Sequence, residues 1–205
     1  MSKAKKLLCI IFAVFIVLIF GGYHEFDEMG LYFITEKSEA GGVNLFLTSI
    51  FNPTNAIILC AMVSLILIAM KKNKSAIFLD LSMILTTLIN ETIKRIIARP
   101  RPEYSLFLEK GYSFASGHSA ASACFFACVF LILKPHLKEE KHLRIAAALC
   151  TFFTGYIGYT RLFFGVHYFS DVIAGFFLGI TIAILVHNFL IKRDSLKKEY
   201  KNERL

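Results

Sequence analysis

Six apolar runs alternate with shorter polar stretches along the chain, at about 7–22, 54–70, 75–97, 117–133, 144–161 and 168–191. Several approach the roughly 20 residues that carry a helix across a bilayer, and the shorter ones can be accommodated by local thinning or tilt. A span in lipid has to satisfy its own backbone N–H and C=O groups, so helices are expected there and open strands are not. The pattern predicts an all-α polytopic membrane protein of six transmembrane helices, forming one domain over residues 1–205. A longer polar stretch at about 23–53 leaves room for a short interfacial helix around Val43 to Phe51, bounded by Gly41-Gly42 and Asn52-Pro53.

Composition agrees with the pattern. Hydrophobic residues make up 56% of the 205 and mean hydropathy is +0.61, above what a soluble domain carries. The net charge of +8 does not point to nucleic acid, because the basic residues fall in short groups between apolar runs instead of forming one face. Groups of three, three, four and six, sixteen of the 23 basic residues, stand before the first run and after the second, fourth and sixth, and come to one side if six spans are present. The positive-inside rule makes that side cytoplasmic, with both termini and a basic tail at 192–205. The opposite side carries an acidic first loop (Glu25, Asp27, Glu28, Glu36, Glu39) and a group of tyrosines suited to an interfacial belt. Lys3, Lys5 and Lys6 before Leu7 to Phe20 imitate a secretory signal, but Gly21-Gly22-Tyr23-His24-Glu25 offers no small-x-small cleavage site, so a retained first span is expected.

Seven basic residues stand on the wrong side for this topology: Lys37, Lys94, Arg95, Arg99, Arg101, Lys110 and Arg161. Ionisable groups at the ends of spans are costly and demand a partner or a function. Snorkelling suffices for Arg95. Lys94, Arg99, Arg101 and Arg161 fall in two of three segments that carry a signal: Lys94 to Pro102 after the third run, Ala115-Ser116-Gly117-His118-Ser119 at the start of the fourth, and Thr160 to Asp171 between the fifth and sixth. The six-span count brings all three to one membrane face. Lys94, Arg101 and Arg161 could surround a phosphate, where guanidinium forks match its oxygens. Ser116, Gly117 and His118 open a helix whose free N–H groups favour an anion, and Gly117 lets that anion approach the backbone. His167 and Asp171, four apart on a helix face, could pair so that Asp171 takes the Nδ1 proton and Nε2 is left free.

These segments resemble the three motifs of the type 2 phosphatidic acid phosphatase superfamily, which shares its site with vanadium haloperoxidases. Lys-x6-Arg-Pro is matched by Lys94 to Pro102. Pro-Ser-Gly-His is met with Ala115 in place of proline, and Ser-Arg-x5-His-x3-Asp with Thr160 in place of serine. The resemblance covers about residues 54–190. It implies a superfamily-type helical bundle and a metal-independent lipid phosphatase with no cofactor. His167 would be the nucleophile, Asp171 its orienter, and His118 the general acid and later the base that activates water. Lys94, Arg101, Ser116, Gly117 and Arg161 would bind the substrate phosphate. The implied partner is a lipid phosphate or diphosphate on the extracytoplasmic face, with undecaprenyl pyrophosphate placed first and phosphatidylglycerophosphate or phosphatidic acid second. A lipid phosphotransferase and a catalytically silent scaffold or transporter are the competing functions. Measured turnover, and its dependence on an acceptor, separates them.

Other residues admit plainer readings. All five cysteines fall in apolar runs and read as packing residues. Asp80 reads as structural near the cytoplasmic end of its span, and Glu91 as a possible ion-pair partner of Lys94. Gly175 and Gly179 have the spacing of a close helix contact, within the chain or between copies. Asn90 matches a glycosylation sequon but lies inside the third run.

Overall fold

The computed structural model describes Asp27, Phe46, Ser49 and residues 51–103, 105–106 and 109–202. The first apolar run at about 7–22, and most of the expected interfacial helix at 43–51, lie outside the described residues. Among those residues there are five α-helices and no strand.

Helix α1 (Pro53–Ala69) starts where the sequence supplies both a cap and a preset first residue. The Asn52 side chain accepts the Asn55 N–H at 3.0 Å, and Pro53 takes the first helical position. Helix α2 (Asn73–Ile97) ends at Ala98 in the left-handed region (φ 49°), whose N–H returns to the Lys94 carbonyl. Helix α3 (Gly117–Leu133) is capped by the Ser116 hydroxyl, which accepts from the Ser119 N–H. A single 3-10 turn, Lys134–His136, follows it, and then α4 (Glu140–Phe163) and α5 (Phe169–Asn202). The last helix runs on through the basic stretch that the sequence marks as a tail.

Three of these helices are long and apolar enough to cross a membrane: Asn73–Ile97, Gly117–His136 and Phe169–Leu190. Helix α1 is apolar but shorter, and α4, with Thr151, Thr154, Tyr156, Tyr159, Thr160 and Arg161 along it, is not among them. Outward-facing Ile57, Met62, Leu65, Ile84, Leu88 and Phe152 are each more than half exposed. An apolar surface of that extent suits hydrocarbon, not water. The chain is a membrane protein.

Helix α3 is the centre of the bundle and touches each of the other four. Its contact with α5 is closest where α5 carries Gly175 and Gly179. A Cβ on Gly179 would stand 2.2 Å from the Ala120 carbonyl oxygen, and one on Gly175 would stand 2.6 Å from that of Ser116. The glycine face is therefore used inside the chain, to bring two backbones together. Cys60, Phe78, Leu79, Met83, Cys124, Cys128, Ile182 and Val186 fill the core below that contact. The Asp80 carboxylate accepts from Ser64 Oγ at 2.5 Å and Cys60 Sγ at 3.3 Å, which ties α2 to α1.

Candidate active site

The link between α4 and α5 explains the spacing Arg-x5-His. Helix α4 closes with a Schellman arrangement: Gly165 N–H bonds the Leu162 carbonyl at 2.9 Å, and Val166 N–H bonds the Arg161 carbonyl at 3.2 Å. The turn needs a left-handed residue, and Gly165 supplies it at φ 62°. Arg161 and the residue before His167 are thus joined by one hydrogen bond. The spacing His-x3-Asp has an equally local cause. Tyr168 precedes α5, and its N–H is accepted by the Asp171 carboxylate at 3.0 Å, the return half of a capping box. Asp171 Oδ2 then stands 3.5 Å from His167 Nδ1. That is ion-pair range but longer than a formed hydrogen bond, and Nδ1 has no hydrogen-bond partner.

The segment after α2 brings the cations. Arg101 donates through Nε to the Gly111 carbonyl (3.1 Å) and through Nη1 to the Val166 carbonyl (2.9 Å). The same Nη1 lies 3.3 Å from His167 Nε2. A guanidinium only donates, so Nε2 must offer its lone pair and the ring proton belongs on Nδ1, facing Asp171. Lys94 Nζ, one turn before the end of α2, donates to the Tyr112 carbonyl at 3.2 Å.

His118 and Gly117 open α3 at the same end of the bundle. Ser116, expected at the substrate phosphate, is turned into the contact between α3 and α5. It is fully buried, its hydroxyl is engaged by Ser119 Oγ at 2.9 Å, and its N–H donates to the Asp171 carbonyl oxygen at 3.0 Å. Its geometry fastens α3 to α5. Thr160 is likewise turned away, with its hydroxyl donating to the Ile157 carbonyl at 2.7 Å.

A cavity of about 1250 Å3 opens here, with Lys94, Arg101, Glu109, His118, Arg161 and His167 around its head. It continues down past Ala56, Ile57, Leu65, Ile68 and Ile84, between α1 and α2. Gly117 and Asn90 lie where the two parts meet. Asn90 is buried, and a Cβ on Gly117 would come within 3.4 Å of its amide nitrogen.

Three members of this neighbourhood were not legible as site residues. Glu109, in the loop between α2 and α3, pairs with Arg101 Nη1 at 2.9 Å and with Arg161 Nη2. Asp27 and Arg99 meet behind His167. Nothing local in the sequence marks Glu109 or Asp27. Arg99, two residues before Arg101, was visible only as another misplaced cation.

Electrostatics follow from burial and cation density. Burial, and then the charges of Arg161, Arg101 and Lys94, push the His167 imidazole well below its ordinary pKa, against a weaker opposing pull from Glu109. Burial raises the Glu109 carboxyl, but Arg161, by charge and hydrogen bond, and Arg101 outweigh it and hold the carboxyl below its usual range. Among the described residues, no group of three or more His, Cys, Asp or Glu side chains is placed to hold a metal ion.

The fold and this geometry define a class: a membrane helical bundle with a neutral histidine set among arginines at one end. Residues 75–195 match the PAP2 superfamily, and the chain belongs to it. It is 35% identical to phosphatidylglycerophosphatase B of Bacillus subtilis (strain 168) over 104 residues, covering 50% of this chain and 51% of that protein. It is 33% identical to a lipid A 1-phosphatase of Rhizobium johnstonii over 119 residues, covering 53% and 45%. The chain thus spans about half the length of the curated relatives it matches. Among solved structures it resembles the transmembrane PAP2 type phosphatidylglycerolphosphate phosphatase from Bacillus subtilis, with a TM-score of 0.82 at 24% identity over 94% of this chain and 98% of that one. Aquifex aeolicus LpxE gives 0.64 at 21% identity over 80% and 95%. At those identities the likeness establishes the fold.

Proposed function

We propose that this chain is a metal-independent membrane lipid phosphatase working through a phosphohistidine on His167. The observation that carries the reading is the cavity, whose cationic head includes His167, with Nε2 unprotonated beside Arg101, and whose continuation is mostly apolar. That shape and polarity suit a phosphate-headed lipid. Phosphoryl transfer asks chiefly for charge neutralisation and an in-line nucleophile, and Lys94, Arg101 and Arg161 with the α3 N-terminus at Gly117 supply the charge.

In the first step the Nε2 lone pair forms a bond to phosphorus while the bond from phosphorus to the lipid oxygen breaks. His118 gives its proton to that leaving oxygen. His167 keeps its Nδ1 proton toward Asp171. In the second step His118 takes a proton from water, the water oxygen bonds to phosphorus, and the N–P bond breaks to release phosphate.

The distribution of basic residues supports both termini in the cytoplasm and the site on the extracytoplasmic face, within a single domain. The outward site favours undecaprenyl pyrophosphate, a carrier recycled on that face. The relatives named for phosphatidylglycerophosphate favour that lipid instead. The test is phosphate release by the detergent-purified protein from undecaprenyl pyrophosphate, phosphatidylglycerophosphate and phosphatidic acid, with EDTA present and His167→Ala as control. Release that persists in EDTA and vanishes in the variant supports the reading, and the ranking of lipids names the substrate. Release that the variant retains removes His167 as nucleophile.

A further inference from the structure

Arg99 carries a charge that the chemistry above does not use. It is absent from the cavity wall, and both terminal nitrogens of its guanidinium are engaged elsewhere. Nη2 donates to Asp27 Oδ2 at 2.7 Å. Nη1 donates to Asp171 Oδ1 at 2.9 Å and to Ser170 Oγ at 2.7 Å, and the group lies 3.9 Å above the centre of the Tyr168 ring. The Asp27 carboxylate is buried and closes the cluster, accepting the Ser170 N–H at 2.9 Å and the Ser170 hydroxyl at 2.7 Å. It serves the first turn of α5 as an anionic cap delivered from a distant part of the chain.

We propose that Arg99, held by Asp27, is a positioning residue for the nucleophile, and that Asp27 is therefore part of the active site. The inference rests on the reading of His167 as nucleophile. Arg99 fixes one oxygen of Asp171 and the Tyr168 N–H fixes the other, so the carboxylate cannot rotate, and Oδ2 stays turned to His167 Nδ1. Two carboxylates around one guanidinium leave the cluster with one net negative charge. That suits a ring that gains positive charge when Nε2 bonds to phosphorus. Without Arg99, two buried carboxylates lose the cation they share, and neither can stay in place as it is.

The test uses the full chain in detergent and the best lipid from the substrate ranking. Wild type, Arg99→Gln, Arg99→Lys, Asp27→Asn, the double variant and His167→Ala are compared in single-turnover reactions with enzyme in excess. The rate constant there does not depend on how much of the preparation is folded, whereas the amplitude does. Arg99→Gln is expected to lower the rate constant about 10- to 100-fold, as loss of an orienting partner typically does, with KM within about threefold of wild type. Arg99→Lys should recover part of the loss. Asp27→Asn should fall in the same direction by less, and the double variant should be no slower than Arg99→Gln alone, because the two act as one unit. If Arg99→Gln does not purify as folded protein, Asp27→Asn and Arg99→Lys are read by the same criteria. A smaller amplitude with an unchanged rate constant, or a raised KM with an unchanged kcat, overturns the positioning role. A wild-type rate constant in Arg99→Gln beside an inactive His167→Ala overturns it alone. Turnover that survives in His167→Ala, or no turnover by wild type, overturns the nucleophile reading and this inference with it.

Discussion

Arg101 Nη1 stands 3.3 Å from His167 Nε2 while donating to the carbonyl of Val166, the residue before it. The cation is therefore referenced to the backbone beside His167 and not only to its ring. Arg101→Lys keeps the charge but replaces the planar fork that reaches Gly111, Val166 and Glu109 with a compact ammonium. Hydrogen bonds to charged groups contribute about 1.5–3 kcal/mol each, so the variant should lose roughly 10- to 100-fold in kcat/KM in a steady-state assay. Retention of wild-type kcat/KM would mean that charge alone suffices at this position.

Glu109 places a carboxylate across Arg101 and Arg161, where an anionic substrate group would be received. A phosphate has to displace it. Glu109→Gln should lower KM several-fold, and inorganic phosphate should inhibit the variant more strongly, both read from inhibition kinetics. The carboxyl is held below its usual range, about 4.3 for a free glutamate, so the contact persists above that value. It is lost only as pH falls through the lowered one. A raised KM in the variant would show that Glu109 aligns the two arginines instead of competing for them.

His167 should stay neutral where an ordinary histidine takes a proton. Its pKa lies well below the usual value of about 6.5, so below pH 6.5 the unfolded chain binds a proton that the folded chain refuses. Stability should therefore decline from this residue as pH falls through about 6.5, with no contribution above it. Histidine-labelled NMR, with His167→Asn for assignment, should show ring signals that do not titrate between about pH 8 and 5.5. A midpoint near 6.5 would contradict the buried, cation-flanked environment.

Gly155 and Gly165, inside α4 and just beyond its end, should respond oppositely to alanine. Gly165 has a left-handed backbone at φ 62°, so Ala there should destabilise by about 1–2 kcal/mol and lower kcat by moving His167. A Cβ on Gly155, inside α4, meets nothing within 4 Å. Gly155→Ala should raise stability by up to about 1 kcal/mol with kcat unchanged. Thermal unfolding and turnover of the two variants check both statements, and equal responses would refute the assignment of the turn.

Much of this architecture is written in local patterns. The apolar runs at 54–70, 75–97 and 117–133 foretell α1 to α3 to within two residues, because the signals that begin and end them are local: Asn52-Pro53 before α1 and Ser116 before α3. The convergence of Lys94, Arg101, His118, Arg161, His167 and Asp171 follows from helix count and direction. Residues whose partners are set by packing were not legible. Glu109 reaches Arg161 across 52 positions, and no offset in the sequence encodes where its loop folds back. The surroundings of Ser116 were hidden for a related reason: a serine before a helix can offer its N–H to a ligand, and only the approach of α5, allowed by Gly175, shows that the Asp171 carbonyl receives it here. The same approach settles the use of the glycine pair, which spacing alone left open.

Arg99 lies 72 residues after Asp27 and 72 before Asp171, and bonds to both. A chain inserted into the bilayer from its N-terminus has the first of these partners early and the second only when the final helix has been made. Contacts this distant in sequence form late, after the loops between them have closed. The nascent protein thus passes most of its biogenesis without an assembled His167 site, and a chain that ends before α5 carries Lys94, Arg101, His118, Arg161 and His167 into the membrane without the Asp171 carboxylate that Arg99 holds against the ring.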